Sequence, residues 1–461
     1  MIWKAGFSLA NCGRIHFIGI GGIGMSGIAR LLRLEGFAVS GSDERASEIT
    51  RRLEAEGCRV SIGHRAAAAR GAGVAVISSA VKEDNPEVRE ARRLGIPVAQ
   101  RAQMLAELAA LKKTITFSGS HGKTTTSSMA AAAFEAAGAD PTAVVGGILR
   151  SLSSNVRRGG GEYLVMESDE SDGSFLHYSP LVACVTNIDS DHLDFYRGMD
   201  RLKDAFVEHL SRVPFYGAAV LCADDPGVRS ILPRVACPRV TYGFGAGCDW
   251  RADGVRTGPS GTSYTAYFKG RRRGPVRLLT GGSHNVLNSL CVIAAGSWLG
   301  LPFDGLARGL AGFGGVKRRL EPHGEAGGVK FFDDYGHHPT EIRNTLAAIR
   351  AIHRPRRLIA MFQPHRYSRT SLLYREFARE LRAADKVCLL DIYPAGEKPL
   401  KGVTSGLILK SAGRGSNIVP YPGVLEVAKD LRSGDLLLSL GAGDVWKTLE
   451  EVKSKFELIG G

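Results

Sequence analysis

Along the chain, short apolar runs alternate with longer stretches whose apolar residues recur at helical spacing, and the alternation falls into three blocks. In the first, Arg14 to Ile18 reads as a strand, Met25 to Glu35 as a helix, and Phe37 to Ser40 and Val74 to Ile77 as further strands. The second opens with a strand at Thr114 to Phe117, a helix from Thr125 to Ala137 stopped by Gly138, and strands at Glu162 to Met166 and Val182 to Thr186. The third holds strands at Val329 to Phe332, Arg357 to Phe362, Lys386 to Ile392 and Asp435 to Ser439, again separated by helical stretches. Strands that alternate with helices build parallel sheets, because a parallel neighbour needs a crossover connection. Cys237 to Leu279 departs from this pattern. Rich in Gly, Thr, Arg and aromatics, it reads as antiparallel hairpins, with Gly274-Pro275 as a hairpin turn, inserted before a helix that starts near Asn285. The expected fold class is α/β with three domains: a Rossmann-like domain over 1–112, a central P-loop domain with a mostly parallel sheet and a small antiparallel insertion over 113–315, and a second Rossmann-like domain over 316–461.

The 461 residues and 44% apolar content suit a multidomain globular protein. No apolar run approaches the ~20 residues that span a bilayer, so no membrane partner is expected. Met1 to Gly13 has one Lys and no apolar core followed by a cleavage site, which predicts no signal peptide and a cytoplasmic protein. The eight cysteines form no CxxC pair. The net charge of +14 raises nucleic-acid binding, yet the only dense basic run, Arg271 to Arg273, lacks interleaved aromatics, and charge alone argues steering rather than function. No nucleic-acid partner is expected. The first thirteen residues and the Arg271 run carry no functional reading, and nothing specifies an oligomeric state.

Two glycine-rich loops follow strands and open helices. Gly119-Ser120-His121-Gly122-Lys123-Thr124 can aim backbone N–H groups at a phosphate, with Lys123 on the β and γ phosphates and the Thr124 hydroxyl on Mg²⁺. The general pattern G-x-x-x-x-G-K-S/T would put glycine where Phe117 stands. Gly19-Ile20-Gly21-Gly22-Ile23-Gly24, with Asp43 ending the second strand, is the dinucleotide fingerprint and fits an NAD-dependent dehydrogenase. A UDP-sugar also carries a pyrophosphate and a ribose. A dehydrogenase has no use for the Gly119 loop, which turns the reading toward a nucleotide sugar.

Acids cluster after the strand that ends at Met166: Glu167, Asp169, Glu170 and Asp172, with Glu167 nearest the tip. A carboxylate there can complete a Mg²⁺ site. Asn187 to Asp194 follows the next strand and contains His192, where ligands converge in such a sheet. Asn285 and Asn288 share one helix face. Val316 to Glu321 reads as a basic linker, and His365, Arg366 and Arg369 on one loop suit a carboxylate.

In order and spacing these segments resemble the Mur ligase family. Gly119 to Thr125 matches its shortened loop at every position. The runs from Glu167 to Ser171 and from Thr186 to His192, the pair Asn285 and Asn288, and Arg318-Arg319-Leu320-Glu321 are similar to further family motifs. The run Gly19 to Gly27 resembles the family's UDP-binding loop, while Asp333 to Glu341 with Gln363 to Arg369 resembles the alanine-adding members. The resemblance implies a ligase that uses ATP and Mg²⁺ to join L-alanine to UDP-N-acetylmuramic acid through an acyl phosphate. The alternative is a relative that adds another amino acid or a tripeptide. It implies Lys123, Glu167 and His192 as catalytic, with Thr124, Glu167 and His192 on the metal. Gly119, Ser120, His121, Gly122, Lys123, Thr124, Thr125, Asn285, Asn288, Arg319 and Asp334 are implied to bind ATP, with Arg319 favoured over Arg318. Gly19, Gly21, Gly22, Gly24, Asp43 and Ser78 are expected on the UDP-sugar, and Tyr335, His337, His365, Arg366 and Arg369 on the amino acid. Glycine and serine are close in size to alanine, so motif resemblance alone sets that preference.

Overall fold

A computed structural model describes residues 9–149 and 154–460, so part of the segment Met1 to Gly13 lies outside the described residues. The chain forms two compact units, one of residues 1–146, 152–241 and 294–306, the other of 147–151, 242–293 and 307–461. No helix among the described residues is long and apolar enough to cross a membrane.

The first unit holds a five-stranded parallel sheet in the order Arg59–Ile62, Val39–Asp43, Ile15–Ile18, Val74–Ile77, Val98–Gln100. Its central strands are buried throughout, which is why they read as unbroken apolar runs. Strand order reverses at Ile15–Ile18, so a crevice opens past its C-terminal end, between the loops at Gly19 and Ser78. The same unit carries the strands Ala218–Cys222, Val182–Val185, Lys113–Ser118, Tyr163–Glu167, Thr142–Leu149 and Ser154–Arg157, in that spatial order. Lys113–Ser118 lies between Val182–Val185 and Tyr163–Glu167 and runs parallel to both. The loops after these three strands therefore meet at one end of the sheet.

The second unit contains an antiparallel meander, Trp250–Gly258, Gly261–Phe268 and Arg271–Leu278. Gly274-Pro275 is not its turn. The turn falls at Lys269-Gly270, both at positive φ, while Gly274 and Pro275 sit inside the last strand opposite Ala266 and Thr265. That strand is the sheet's edge, where proline's missing N–H costs no ladder bond. The ladder shifts register between Ala266 and Tyr267, and Arg271 to Arg273, Pro275 and Arg277 are exposed.

A third sheet runs in the order Glu321–Ala326, Val329–Asp334, Leu436–Leu440, Leu358–Phe362, Lys386–Leu389, Ile418–Pro420. Its first pair is antiparallel and the rest parallel. Leu358–Phe362 has Leu436–Leu440 on one side and Lys386–Leu389 on the other, so this sheet also reverses and opens a crevice past Phe362 and Leu440.

Candidate functional site

The phosphate loop of the first unit is shaped by two glycines. Gly119 has φ of +129° and packs so tightly against Thr186 and Asn187 that a Cβ would collide with both. Gly122 is left-handed, at φ 82°, and caps the helix Lys123–Ala136. The loop is held by the segment after the neighbouring strand. The Ser120 N–H donates to the Asn187 carbonyl at 3.1 Å, the His121 N–H to Asn187 Oδ1 at 2.8 Å, and Thr186 Oγ1 to the His121 carbonyl at 2.7 Å. The His121 ring lies 3.0 Å from Asp189. Asn187 thus organises the loop, a role its type alone did not disclose.

Lys123 Nζ donates to the Gly119 carbonyl at 2.9 Å and to both oxygens of Glu170 at 3.0 and 2.9 Å, with Asp169 3.5 Å away. Burial opposes the ammonium charge, yet Glu170, Asp169 and Glu167 together raise its pKa. Burial also pushes the Glu170 carboxyl up to about 7, against the pull of Lys123 and with help from Asp169. Both directions are consistent, because one ammonium is shared among several acids. Glu167 accepts the Gly146 N–H at 2.7 Å and a hydrogen bond from Thr124, and burial raises its pKa. The structure therefore brings Thr124 and Glu167 together. His192, left-handed at φ 56°, stands 3.6 Å from Asp191. Burial opposes the charge of Asp169, yet its pKa is lowered, chiefly by Lys123 and least by His192. Glu170 and Gly146 were not singled out in the sequence.

At the other crevice of this unit, the Gly21 N–H donates to Asp43 Oδ2 at 2.8 Å, tying the fingerprint to the end of the second strand. Gly22 caps the helix Ile23–Leu34, and Gly19 at φ 81° faces Val81 just beyond Ser78. The Arg101 side chain runs over Gly24, its Cδ 3.3 Å from where a Cβ would stand. This places a guanidinium beside the Gly19 loop, another feature that spacing did not reveal. Below lies a buried network: His16 sits 2.7 Å from Glu87 and 2.9 Å from Ser40, and Ser42 donates to Glu87 at 2.9 Å.

In the second unit, Asn285 donates to the Gly281 carbonyl at 2.7 Å and Asn288 to Asn285 at 3.3 Å, so the two asparagines do share a face. His284 beside them is pushed down to about 4, first by burial and then by Arg319. Asp334 ends its strand and is buried. It accepts from the N–H groups of Leu320 and Gly336, both at 2.8 Å, and from Thr345 at 3.2 Å, and burial pushes its carboxyl up to about 6. Arg319 lies 3.3 Å from Glu341 and over the Tyr335 ring. The segment Val316 to Glu321 is pinned rather than a loose linker. Arg318 and Leu320 are left-handed, at φ 59° and 45°, and Arg318 bonds to Asp333, Gly441 and Gly443.

The crevice past Phe362 gathers the remaining residues. The rings of Tyr335 and His337 are 5.4 Å apart, and those of His337 and His365 are 5.6 Å apart. His365 stacks on Tyr393 at 5.7 Å, and Arg369 approaches His365 at 3.3 Å. Arg369 is in the first turn of the helix Tyr367–Leu381 rather than on the loop, and Arg366, at φ 69°, precedes that helix with a buried Nε that has no hydrogen-bond partner. Gln363, 3.0 Å from Asp444 and the first residue of its motif, and Tyr393, which was not anticipated, complete the crevice.

Three family profiles match consecutive stretches of the chain: Mur ligase family, catalytic domain, over residues 14–113; Mur ligase middle domain over 117–296; and Mur ligase, glutamate ligase domain, over 318–443. A UDP-N-acetylmuramate–L-alanine ligase of Geobacter sp. (strain M21) is 51% identical over 443 residues, 95% of this chain and 96% of that protein. A protein of the same name from Anaeromyxobacter sp. (strain Fw109-5) is 50% identical over 94% of this chain and 95% of its own length. Among solved structures, the UDP-N-acetylmuramate–alanine ligase of Thermotoga maritima superimposes with a TM-score of 0.77 at 28% identity, covering 97% of this chain and 99% of that one. At 19% identity, a MurF ligase of the same organism in complex with ADP shares the fold, with a TM-score of 0.63 over 91% of this chain and 94% of its own.

Proposed function

This chain belongs to the Mur ligase family, and from that premise we propose that it joins L-alanine to the carboxylate of UDP-N-acetylmuramic acid with cleavage of ATP, a step in making peptidoglycan precursors. The observation that carries this reading is Lys123 on a phosphate loop, at the end of a strand flanked by Glu167 on one neighbour and the Asn187 to His192 segment on the other.

The substrate carboxylate attacks the γ-phosphorus of ATP. The bond from that phosphorus to the β–γ bridging oxygen breaks, ADP leaves, and an acyl phosphate forms. The alanine amine then attacks the acyl carbon, loses a proton and expels inorganic phosphate. Lys123 and the N–H groups of Gly122 to Thr125 at the helix start offset charge on the transferring phosphoryl group, while Ser120 and His121 spend theirs on Asn187 to shape the loop. Glu167 and Thr124 are oxygen donors already in contact, the hard ligand type that suits magnesium, and His192 is the third group assigned to it. When bound, that ion would neutralise phosphate charge.

Gly19, Gly21, Gly22, Gly24, Asp43 and Ser78 take the UDP-sugar, with Arg101 beside them. Asn285, Asn288, Arg319 and Asp334 take the adenosine and phosphates of ATP, while Tyr335, His337, His365, Arg366 and Arg369 hold alanine. The domains are 1–112, 113–315 and 316–461, a division supported by three sheets whose strands keep within those spans. A cytoplasmic location belongs to the same reading, since the reaction consumes ATP.

The test is ADP release with UDP-N-acetylmuramic acid, Mg²⁺ and each amino acid in turn. Release that requires both the nucleotide sugar and L-alanine is the expected result. A protein that binds ATP yet releases ADP with no amino acid, and responds instead to a tripeptide, would overturn the assignment of alanine.

A further inference from the structure

Six residues of the second unit close into a ring around the crevice past Phe362. Arg318 lies 5.0 Å from the centre of the Tyr335 ring, Tyr335 meets His337 edge-on, His337 meets His365, and His365 stacks on Tyr393. Tyr393 in turn packs on Gly443, where a Cβ would stand 2.6 Å from its Cγ, and the Gly443 carbonyl accepts from Arg318 Nη1 at 3.1 Å. Arg318 is the member that shuts the circuit. Its Nη2 also donates to the Gly441 carbonyl at 2.7 Å, and its Nε to the fully buried Asp333 at 2.9 Å. Ser439 donates to the other oxygen of Asp333 at 2.6 Å. The Arg318 carbonyl accepts the Tyr335 N–H at 2.7 Å, and its own N–H donates to Glu321 at 2.6 Å.

We infer that Arg318 is a positioning residue for the amino acid: it clamps the loops at Tyr335 and Gly441 to Gly443 so that the ring around the alanine pocket keeps its shape. This rests on the assignment of that crevice to alanine. A planar guanidinium reaches three acceptors in fixed directions, which an ammonium on a flexible stem does not reproduce. The left-handed backbone at Arg318, rare for a residue with a side chain, is held by these bonds. The neighbouring Arg319 faces Glu341 as well as the Tyr335 ring and is the arginine assigned to the nucleotide, so the inference gives the two adjacent arginines different substrates.

The experiment is steady-state kinetics of the full chain with L-alanine and ATP varied separately, for wild type, Arg318→Lys, Arg318→Ala, Arg319→Lys and the exposed control Lys317→Ala. Arg318→Lys should raise KM for L-alanine about tenfold or more, the effect of losing hydrogen bonds to a charged group. KM for ATP should stay near wild type, while Arg319→Lys should disturb ATP instead and Lys317→Ala neither. An unchanged KM for alanine in both Arg318 variants overturns the inference. So does a parallel rise of both KM values together with a lower melting temperature, which marks a purely structural role. A wild-type enzyme with no alanine-dependent ADP release fails at the earlier step and overturns the functional reading itself.

Discussion

Lys123 keeps its charge in a buried setting because Glu170, Asp169 and Glu167 surround it. Replacing it with alanine should lower kcat for ADP release by at least ~100-fold, since it removes a charge aimed at the transferring phosphoryl group. Near-normal turnover would sink the roles given to the loop. Asp334 handles burial differently. The unfolded chain ionises this carboxyl near 3.8 and the folded protein near 6, so over that window the folded state holds a proton the unfolded state has lost. Its contribution to stability is therefore present below about pH 4 and declines as pH rises toward 6, with a slope of at most about 1.4 kcal/mol per pH unit. Glu170 and His284 titrate in the same window, so the difference isolates Asp334: the stability of wild type relative to Asp334→Asn should fall between pH 4 and 7, read from the two melting temperatures measured side by side. Lys123 and Glu167 were legible in the sequence because a motif and a strand tip place them. Glu170, Tyr393 and Arg318 were not, since their importance lies in partners far apart in sequence, such as Lys123 for Glu170 and Gly443 for Arg318.

At the scale of elements, most of the central buried strands were readable as apolar runs, and Val74–Ile77 is found with the expected bounds. Of the strands not predicted, Ala218–Cys222 is buried throughout, whereas others are edge or half-exposed. Arg59–Ile62 and Glu321–Ala326 have no fully buried residue, so neither alternation nor an apolar run announces them. Thr142–Leu149 contains Gly146-Gly147, which reads as a breaker. That glycine has a reason. The Gly146 N–H donates to Glu167, and a Cβ there would run into both carboxylate oxygens. Gly146→Ala should therefore displace Glu167, lowering kcat and raising the Mg²⁺ concentration needed for half activity, while circular dichroism stays native. A variant with wild-type magnesium dependence would remove Glu167 from the metal. The misplaced turn at Gly274-Pro275 has a similar lesson: this dipeptide breaks ladders only in the interior of a sheet, and here it lies on a rim.

For the whole molecule, three sheets each present their chemistry beyond the C-terminal ends of parallel strands, so one rule of topology locates the Gly19 loop, the Gly119 loop and the crevice past Phe362 alike. The separate assignment of the nucleotide sugar, ATP and alanine follows that rule more closely than it follows any single motif. The Arg271 run, silent on function, belongs to this scale as well. A bare strand at the side of a sheet offers its unpaired backbone groups to any similar strand that drifts past, including one from another copy of the same chain. Here three consecutive cations, a residue without an N–H and a slipped register occupy that strand together. The consequence is colloidal rather than catalytic. Arg271→Thr, Arg272→Thr, Arg273→Thr and Pro275→Val combined should leave turnover intact at low concentration yet produce concentration-dependent sedimentation of larger species. Sedimentation that matches wild type at every concentration would show that the strand needs no such guard, and that a chain this basic stays dispersed by overall repulsion alone.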